Sequence, residues 1–389
     1  MSILQEAQAI QDQIVGWRRY FHQHPEIGMD LPVTAAKVKE VLDSLGVSYR
    51  EVVPGGILAT IGKPGGKSIL LRGDMDALPL EEDTGLPFSS QNPGCMHACG
   101  HDTHTAMLLG AAKLLKQHES ELNGLAILMF QPGEEVLAGA KAMVEAGALE
   151  NPTPDCAMAL HIAGEPLKTG QIAMGYGPCA ASSDNYRIVL HGKGGHGASP
   201  QNSVNPIFCA TKIIEAFTDI GRYELDPQEP AVVNTCSIHS GTIYNIIPND
   251  CEIMGTVRLF NEELRAKVLG RMQEAVEKIA SFYRCTAEWH VDLSVPCTYS
   301  NEEFAQQLHD LLSRDLEGVE LMPLIPQKMM GSEDFAWVSQ KVPSCAMQVG
   351  STAPEGQAYP AHHPKVVFDE NSFPYGTATY VQCALSYLK

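Results

Sequence analysis

Residues 68–76 read SILLRGDMD, a short apolar run that leads into two carboxylates. The run predicts a buried β-strand, with Asp74 and Asp76 following its carboxyl end. Three further apolar runs also lead into side chains able to bind a metal or transfer a proton: 125–130, 156–160 and 346–349. Ligands of an open α/β sheet bind beyond the carboxyl ends of its strands. We therefore expect these side chains to share one crevice.

Helical patterns alternate with these strand-like runs. They lie at 103–116 and 138–145, and the rhythm is typical of a parallel or mostly parallel α/β sheet. The spacing of apolar residues predicts further helices at 3–22, 34–45 and 302–312 and from about residue 376 to the end.

The pattern changes between residues 182 and 294. Six elements follow in the order strand, helix, strand, strand, helix, strand, over 186–190, 205–217, 232–239, 251–259, 262–282 and 286–291. This order predicts a ferredoxin-like α+β domain. We interpret residues 1–181 and 295–389 as two parts of one α/β catalytic domain, with residues 182–294 inserted between them.

Composition excludes several classes of protein. Of the 389 residues, 44% are hydrophobic and 19% charged, which is ordinary for a globular protein, and the net charge of −19 disfavours a nucleic acid partner. No apolar stretch is long enough to span a membrane, and the first residues lack the pattern of a signal peptide. The eleven cysteines show no framework spacing, so we predict reduced thiols in a cytoplasmic protein.

The densest cluster of polar residues is CMHACGHDTH, residues 95–104. It contains two cysteines and three histidines directly before a predicted helix. Two alternatives to a catalytic metal site stay open here. The histidines could lie along the helix without binding anything, or two Cys and two His could form a closed structural zinc site.

Glu134 and Glu135 form an adjacent pair after the run at 125–130. Neighbouring carboxylates on a loop point in different directions, so one can bind a metal while the other takes a proton from water, as metal-assisted hydrolysis requires. The alternative is a solvated pair at a helix N-terminus, where negative charge is favourable.

Three other kinds of functional site are not supported by the sequence. Residues 191–197, HGKGGHG, contain G-x-G-x-x-G, but no helix follows directly, so we reject a dinucleotide site and interpret the loop as one that presents His196. There is no G-x-S-x-G elbow, which disfavours a serine hydrolase. Cys99 and His101 lie too close in sequence to resemble a papain-type dyad.

Taken together, the motifs resemble the hippurate hydrolase and aminoacylase family of the dinuclear metallopeptidase clan. The resemblance runs almost from end to end of the chain. It rests on residues 18–26, 74–79, 96–102, 131–135, 159–161, 194–196, 255–258, 331–335 and 362–364.

The resemblance implies a metallopeptidase-type catalytic domain that holds two divalent ions, and an inserted lid domain that also forms a contact between two subunits of a homodimer or larger homo-oligomer. Glu134 would be the general base, and Asp76 would fix the orientation of a ligand. The implied metal ligands are Cys99, His101, Glu135, His161 and His362. We choose His362 over its neighbour His363 because it lies two residues before Pro364, as in the family pattern.

The resemblance also assigns residues of the inserted domain. His196 would stabilise the oxyanion, in its own or the partner subunit, while Asn245 and Arg258 would hold the α-carboxylate of the substrate. An ordinary ion pair on the strand surface is the alternative for Arg258. The ions could be Zn²⁺, Mn²⁺, Co²⁺ or Ni²⁺, because a mixed N, O and S ligand set accepts each of them.

The predicted reaction is therefore metal-dependent hydrolysis of N-acyl amino acids, small molecules of the N-acetyl or N-benzoyl type, to a carboxylic acid and a free amino acid. A dipeptidase or carboxypeptidase of the same clan is the alternative, and a non-catalytic metal- or ligand-binding protein is a third. By the same resemblance, Cys99 would take the role of the bridging aspartate that peptidase branches of the clan use, which favours acyl substrates.

Overall fold

The computed structural model describes residues 1–353, 356 and 358–389. The chain forms two compact units. The first consists of Met1–Cys179, Tyr299–Gln327 and Asp334–Lys389, and the second of Ala180–Thr298 and Lys328–Glu333. The short segment Lys328–Glu333 thus belongs with the second unit although it follows later in the chain.

The helices of the described residues are α1 Ile3–Ala9, α2 Gln11–Gln23, α3 Pro32–Leu45, α4 His101–Gln117, α5 Gly139–Glu145, α6 Pro206–Tyr223, α7 Glu262–Phe282, α8 Glu302–Asp315, α9 Ala336–Ser339 and α10 Phe373–Tyr387. The strands are β1 Ser48–Val53, β2 Gly56–Gly62, β3 Ser68–Asp74, β4 Leu125–Gln131, β5 Cys156–Ala163, β6 Gln171–Ala180, β7 Ser183–His191, β8 Gly195–His196, β9 Ala231–His239, β10 Ile246–Ile247, β11 Asp250–Leu259, β12 Thr286–Val295, β13 Thr298–Ser300, β14 Glu320–Leu321, β15 Ile325–Pro326 and β16 Ser344–Gly350.

The first unit is built on a mixed sheet of order β1-β2-β4-β3-β5-β16-β6-β13. Its centre, β4-β3-β5-β16, is parallel as predicted. Antiparallel pairs adjoin this centre on both sides. Strands β1 and β2 join through a two-residue turn at Pro54 and Gly55 that only an antiparallel pair can use, and β2 runs antiparallel to β4. On the other side β6 runs antiparallel to β16, while the short strands β14 and β15 pair with β6 in parallel. The parallel centre places the carboxyl ends of β3, β4 and β5 side by side.

Helix α4 is the central helix of this unit. Fourteen of its seventeen residues are buried, and it packs against α2, α10 and the sheet. The predicted helix over residues 3–22 is wrong in one respect, because α1 ends at Ala9 and α2 begins at Gln11. The apolar spacing continues across this break, so periodicity alone does not reveal it.

The second unit has the predicted ferredoxin-like arrangement. Its antiparallel sheet has the order β12-β7-β11-β9, and α6 and α7 pack against it. Tyr186, Phe217 and Trp289 form an aromatic cluster in this core, with ring centroids 5.3 to 6.2 Å apart. In the described part of the chain, no helix has the length and apolar character needed to cross a membrane.

Candidate metal centre

Helix α4 begins at a residue whose side chain faces the candidate site. Gly100, just before the helix, has φ +91°, and a Cβ there would lie 2.5 Å from Ile162 Cγ2. Only glycine fits this close turn. His101 follows as the first helical residue, and its Nδ1 donates to the Asp76 carbonyl at 2.9 Å. The other ring nitrogen, Nε2, therefore faces Glu134 and Glu135, at 3.8 and 3.9 Å.

Asp76 holds the two glutamates in place. Its carboxylate accepts the backbone N–H of Glu134 at 2.9 Å and that of Glu135 at 3.0 Å. Asp76 is buried two residues after the end of β3, and the glutamates follow β4, the parallel neighbour of β3. One side chain thus fixes both members of the carboxylate pair, which excludes the solvated pair considered from the sequence.

Cys99 lies between two groups of ligand atoms. Its sulfur is 3.4 Å from His161 Nε2. Ligand atoms of Cys99, His101 and His161 lie within 4.8 Å of one another, and the same holds for Cys99, Glu135 and His362. Cys99 is common to both groups, and a third group of His101, Glu134 and Glu135 connects them on the carboxylate side.

His362 reaches this cluster from a strained backbone. Its φ is +65°, a left-handed conformation that is unusual for a non-glycine residue, and its N–H donates to the Ala98 carbonyl at 2.9 Å. Its Nε2 lies 3.5 Å from Glu135 Oε1. Strain of this kind is concentrated at functional sites.

The cluster has the properties of a cation site. His101 Nε2 and Glu135 Oε1 are buried without a hydrogen-bond partner, although buried polar atoms are usually paired. Burial raises the pKa of Cys99 to about 12 and lowers the pKa of His161 to about 3. A cation would favour the thiolate and bind the neutral imidazole, so the donor set fits a divalent transition metal.

The closed structural zinc site is not supported. In the described residues, neither Cys95 nor His97 belongs to any cluster of potential ligands. His97 is buried with both ring nitrogens unpaired, and burial lowers its pKa to about 4. The three histidines do not share one helix either, because His97 precedes α4.

A buried ionic network lies behind the cluster on the side of the sheet. Arg72 donates to Asp74 at 2.6 Å, to Gln131 at 2.8 Å and to Asp334 at 3.1 Å. Asp334 also accepts the backbone N–H of Ala140 at 2.8 Å. These contacts explain why two of the sequence motifs, at 131–135 and 331–335, contain polar residues outside the ligand set.

A second buried network anchors the start of α4. Asp102 accepts from Arg18 at 2.9 Å and from His22 at 2.7 Å, and the other ring nitrogen of His22 donates to Glu82 at 3.3 Å. Burial and the charge of Arg18 oppose protonation of His22, but the carboxylates outweigh them and raise its pKa. Sequence reasoning gave no role to Glu82. For the other members of this network a signal was available, namely the i, i+4 spacing of Arg18 and His22 on α2.

The surroundings of Glu82 predict that the free energy of unfolding depends on pH. Burial opposes its ionisation, but hydrogen bonding to His22 lowers the pKa of Glu82 to about 2. A carboxylate with a lowered pKa stabilises the fold above its unfolded value and loses that contribution as pH falls towards the folded value. Glu82→Gln should therefore lower the free energy of unfolding by about 1 to 2 kcal/mol at pH 7, after allowance for solvent screening, and by less near pH 3.

Urea titrations of the metal-free protein at several pH values measure this effect. Glu81→Gln, at the exposed neighbouring position, is the matched control. The Glu81 side chain accepts the Gly94 N–H, which the glutamine oxygen can also accept, so this variant should follow the wild type throughout. A difference between the wild type and Glu82→Gln that stays constant from pH 7 to pH 3 contradicts the prediction.

The remaining predicted residues lie in the second unit. His196 in β8 pairs with Ile246 in β10, and its Nδ1 accepts the Ala198 N–H at 3.0 Å, so its Nε2 is the donor. Asn245 is exposed beside it and accepts the Gly197 N–H through its carbonyl at 2.9 Å. Arg258 bonds to Val257 and Thr256 on its own strand, and within the described residues it has no carboxylate partner. The surface ion pair considered for Arg258 is therefore not formed.

The glycine-rich loop has a structural explanation. Gly195 and His196 form a short β-ribbon with β10, and α6 begins only at Pro206. A Cβ on Gly192 would lie 2.3 Å from the carbonyl oxygen of Val204, so the close approach of the two backbones requires glycine there. The loop does not open into a helix, as a dinucleotide-binding loop must.

Comparison with known proteins establishes the family. Residues 70–386 match the Peptidase family M20/M25/M40. The chain belongs to this family. Thermostable carboxypeptidase 1 of Saccharolobus solfataricus is 38% identical over 98% of this chain and 97% of its own. The N-acetylcysteine deacetylase of Bacillus subtilis is 33% identical over 98% of both chains.

A solved structure shares the whole fold. A Bacillus subtilis protein described as a dinuclear metal-binding peptidase of the M20 family superposes with a TM-score of 0.83 at 32% identity, covering 98% of this chain and 99% of the other. The resemblance found in the sequence is thereby confirmed. This member of the M20/M25/M40 family is a metal-dependent amidohydrolase.

Proposed function

We propose that this enzyme hydrolyses the amide bond of N-acyl amino acids, using two divalent ions held by Cys99, His101, Glu135, His161 and His362. The observation that carries the proposal is the position of Cys99 in two ligand groups at once, beside a carboxylate pair fixed by Asp76. When bound, such ions polarise a carbonyl and lower the pKa of water in the site.

Glu134 is the general base in this proposal. Its side chain is buried, 3.8 Å from His101 Nε2, and its backbone is fixed by Asp76, so the carboxylate has one well-defined place beside the ligands. It takes the proton of the attacking water and passes it to the leaving nitrogen. Asp76 acts as a positioning residue, because it holds Glu134 and Glu135 and receives His101 through its carbonyl.

The second unit supplies the groups that recognise the substrate. His196 stabilises the oxyanion through its Nε2–H, in its own or the partner subunit, and the hydrogen bond from Ala198 to Nδ1 supports this tautomer. Asn245 and Arg258 hold the α-carboxylate. The absence of a carboxylate partner for Arg258 in the described part of the chain supports its role as an anion ligand.

We further propose a cytoplasmic homodimer or larger homo-oligomer formed through the second unit. Strand β9 is an edge of its sheet, and Phe208 and Phe282 are 64% and 81% exposed on the two helices. Unpaired strand edges and exposed apolar side chains commonly form interfaces. All eleven cysteines are free, which supports a reducing compartment.

A carboxypeptidase is the second candidate, because a 38%-identical relative carries that name. A panel of N-acetyl amino acids, N-benzoyl amino acids and dipeptides, tested with Mn²⁺- and Zn²⁺-loaded protein, separates the two functions. We expect the highest kcat/KM on an acyl amino acid. Preferential cleavage of dipeptides or of longer peptides would assign the carboxypeptidase or dipeptidase function instead.

A further inference from the structure

We propose that His104, held by Asp74, is a positioning residue that orients His161 towards the metal ions. The inference rests on the proposed function only in taking His161 as a ligand. His104 lies on α4, three residues after His101, and is fully buried together with Asp74. It belongs to none of the assigned ligands or catalytic groups.

The hydrogen bonds of His104 define its tautomer. The backbone N–H of Ile162 donates to His104 Nε2 at 2.8 Å. An amide N–H can only donate, so Nε2 carries no proton and the proton lies on Nδ1. Nδ1 donates in turn to Asp74 Oδ1 at 2.5 Å. His104 is therefore a fixed link between a buried carboxylate and the backbone of β5.

Ile162 connects this link to His161. The carbonyl of Ile162 accepts the Nδ1–H of His161 at 2.6 Å, which leaves His161 Nε2 as an unprotonated nitrogen, 3.4 Å from the sulfur of Cys99. The two imidazole rings also pack edge to face, with centroids 4.5 Å apart. His104 thus accepts the N–H of Ile162, and the carbonyl of the same residue orients His161.

The sheet holds this part of β5 on one edge only. Strand β16 pairs with β5 as far as Ala163, but pairing between β3 and β5 ends at Arg72 and Ala159, so Ile162 lies beyond the last register pair on the β3 edge. His104 supplies the acceptor for the Ile162 amide instead. Asp74 is fixed for this purpose by Arg72 at 2.6 Å, and Arg72 is fixed by Asp334 at 3.1 Å.

Two substitutions of His104 separate its two hydrogen bonds. In His104→Gln, the side-chain amide reaches the place of Nε2 and can accept the Ile162 N–H. In His104→Asn, the amide reaches only the place of Nδ1 and keeps the donor to Asp74. Both variants remove the ring, so each is the matched control for the other.

We expect His104→Asn to weaken metal binding by about 10- to 100-fold, the usual effect of losing a partner that orients a ligand. His104→Gln should stay much closer to the wild type. Competition with a chromophoric chelator, titrating Zn²⁺ into metal-free protein, measures the affinity and the number of ions bound. Equal affinities in the two variants, whether both weakened or both unchanged, would overturn the proposal.

A measurement on the wild type covers the case in which a variant does not fold. If Ile162 couples His104 to a metal ligand, metal binding and the Ile162 hydrogen bond must stabilise each other. Hydrogen exchange of the Ile162 amide should therefore slow when Zn²⁺ is added, and unchanged exchange overturns the proposal. Both readouts measure metal binding without a substrate, so they stand apart from any failure of the proposed acyl specificity.

Discussion

Glu134→Gln is expected to lower kcat on the preferred acyl amino acid by about 10²- to 10⁴-fold while metal content stays unchanged, because it removes only the proton acceptor. Glutamine has the same shape, and the Asp76 carboxylate still receives the backbone N–H of residue 134. Steady-state kinetics together with metal analysis of the purified variant measure the two quantities separately.

The neighbouring glutamate provides the control for this prediction. Glu135→Gln makes the same chemical change one residue later, on a side chain 3.5 Å from His362 Nε2. We expect it to lose metal as well as activity. A Glu134→Gln protein that loses its metal, or that retains wild-type kcat with full metal occupancy, would show that Glu134 is a ligand or a bystander and not the base.

Cys99→Ala should remove activity by more than about 100-fold, exceeding the loss expected for a residue that only orients a ligand. The reason is that the Cys99 sulfur is common to the Cys99, His101, His161 group and the Cys99, Glu135, His362 group. Its loss therefore affects both groups, and metal titration should show weaker binding of every ion that the wild type binds.

Cys95→Ala is the matched control, since Cys95 is a buried cysteine in the same stretch that joins no ligand group among the described residues. It should keep its metal and most of its activity. Loss of a single ion in Cys99→Ala, with the other bound as tightly as in the wild type, would contradict a shared ligand.

The sequence predicted the parts of the fold that depend on local pattern. Strands that lead into polar residues, the buried helix at residues 103–116 and the βαββαβ order are all present, because burial and periodicity leave a direct trace in the residue order. The antiparallel flanks of the sheet were not predicted. Whether a strand joins an edge in parallel or antiparallel is decided by its partner, which can be distant in the chain.

The same division applies to the site. Carboxylates and histidines at the ends of strands were recognisable as side chains able to bind a metal or transfer a proton. Their mutual arrangement was not. Asp102 is bound by Arg18 and His22 of α2, Glu82 accepts from His22, and Asp74 accepts from His104 of α4, and nothing in the residue order pairs these groups. The left-handed backbone of His362 is likewise a product of tertiary structure.

The measurement that tests the account most directly is a titration of metal-free protein with Zn²⁺ or Mn²⁺ during hydrolysis of the best N-acyl amino acid of the panel. We predict no activity without metal, a rise that follows ion binding, and a plateau at two ions per chain. Hydrolysis by the metal-free protein, or a metal-replete protein that cleaves no acyl amino acid of the panel, would contradict the account.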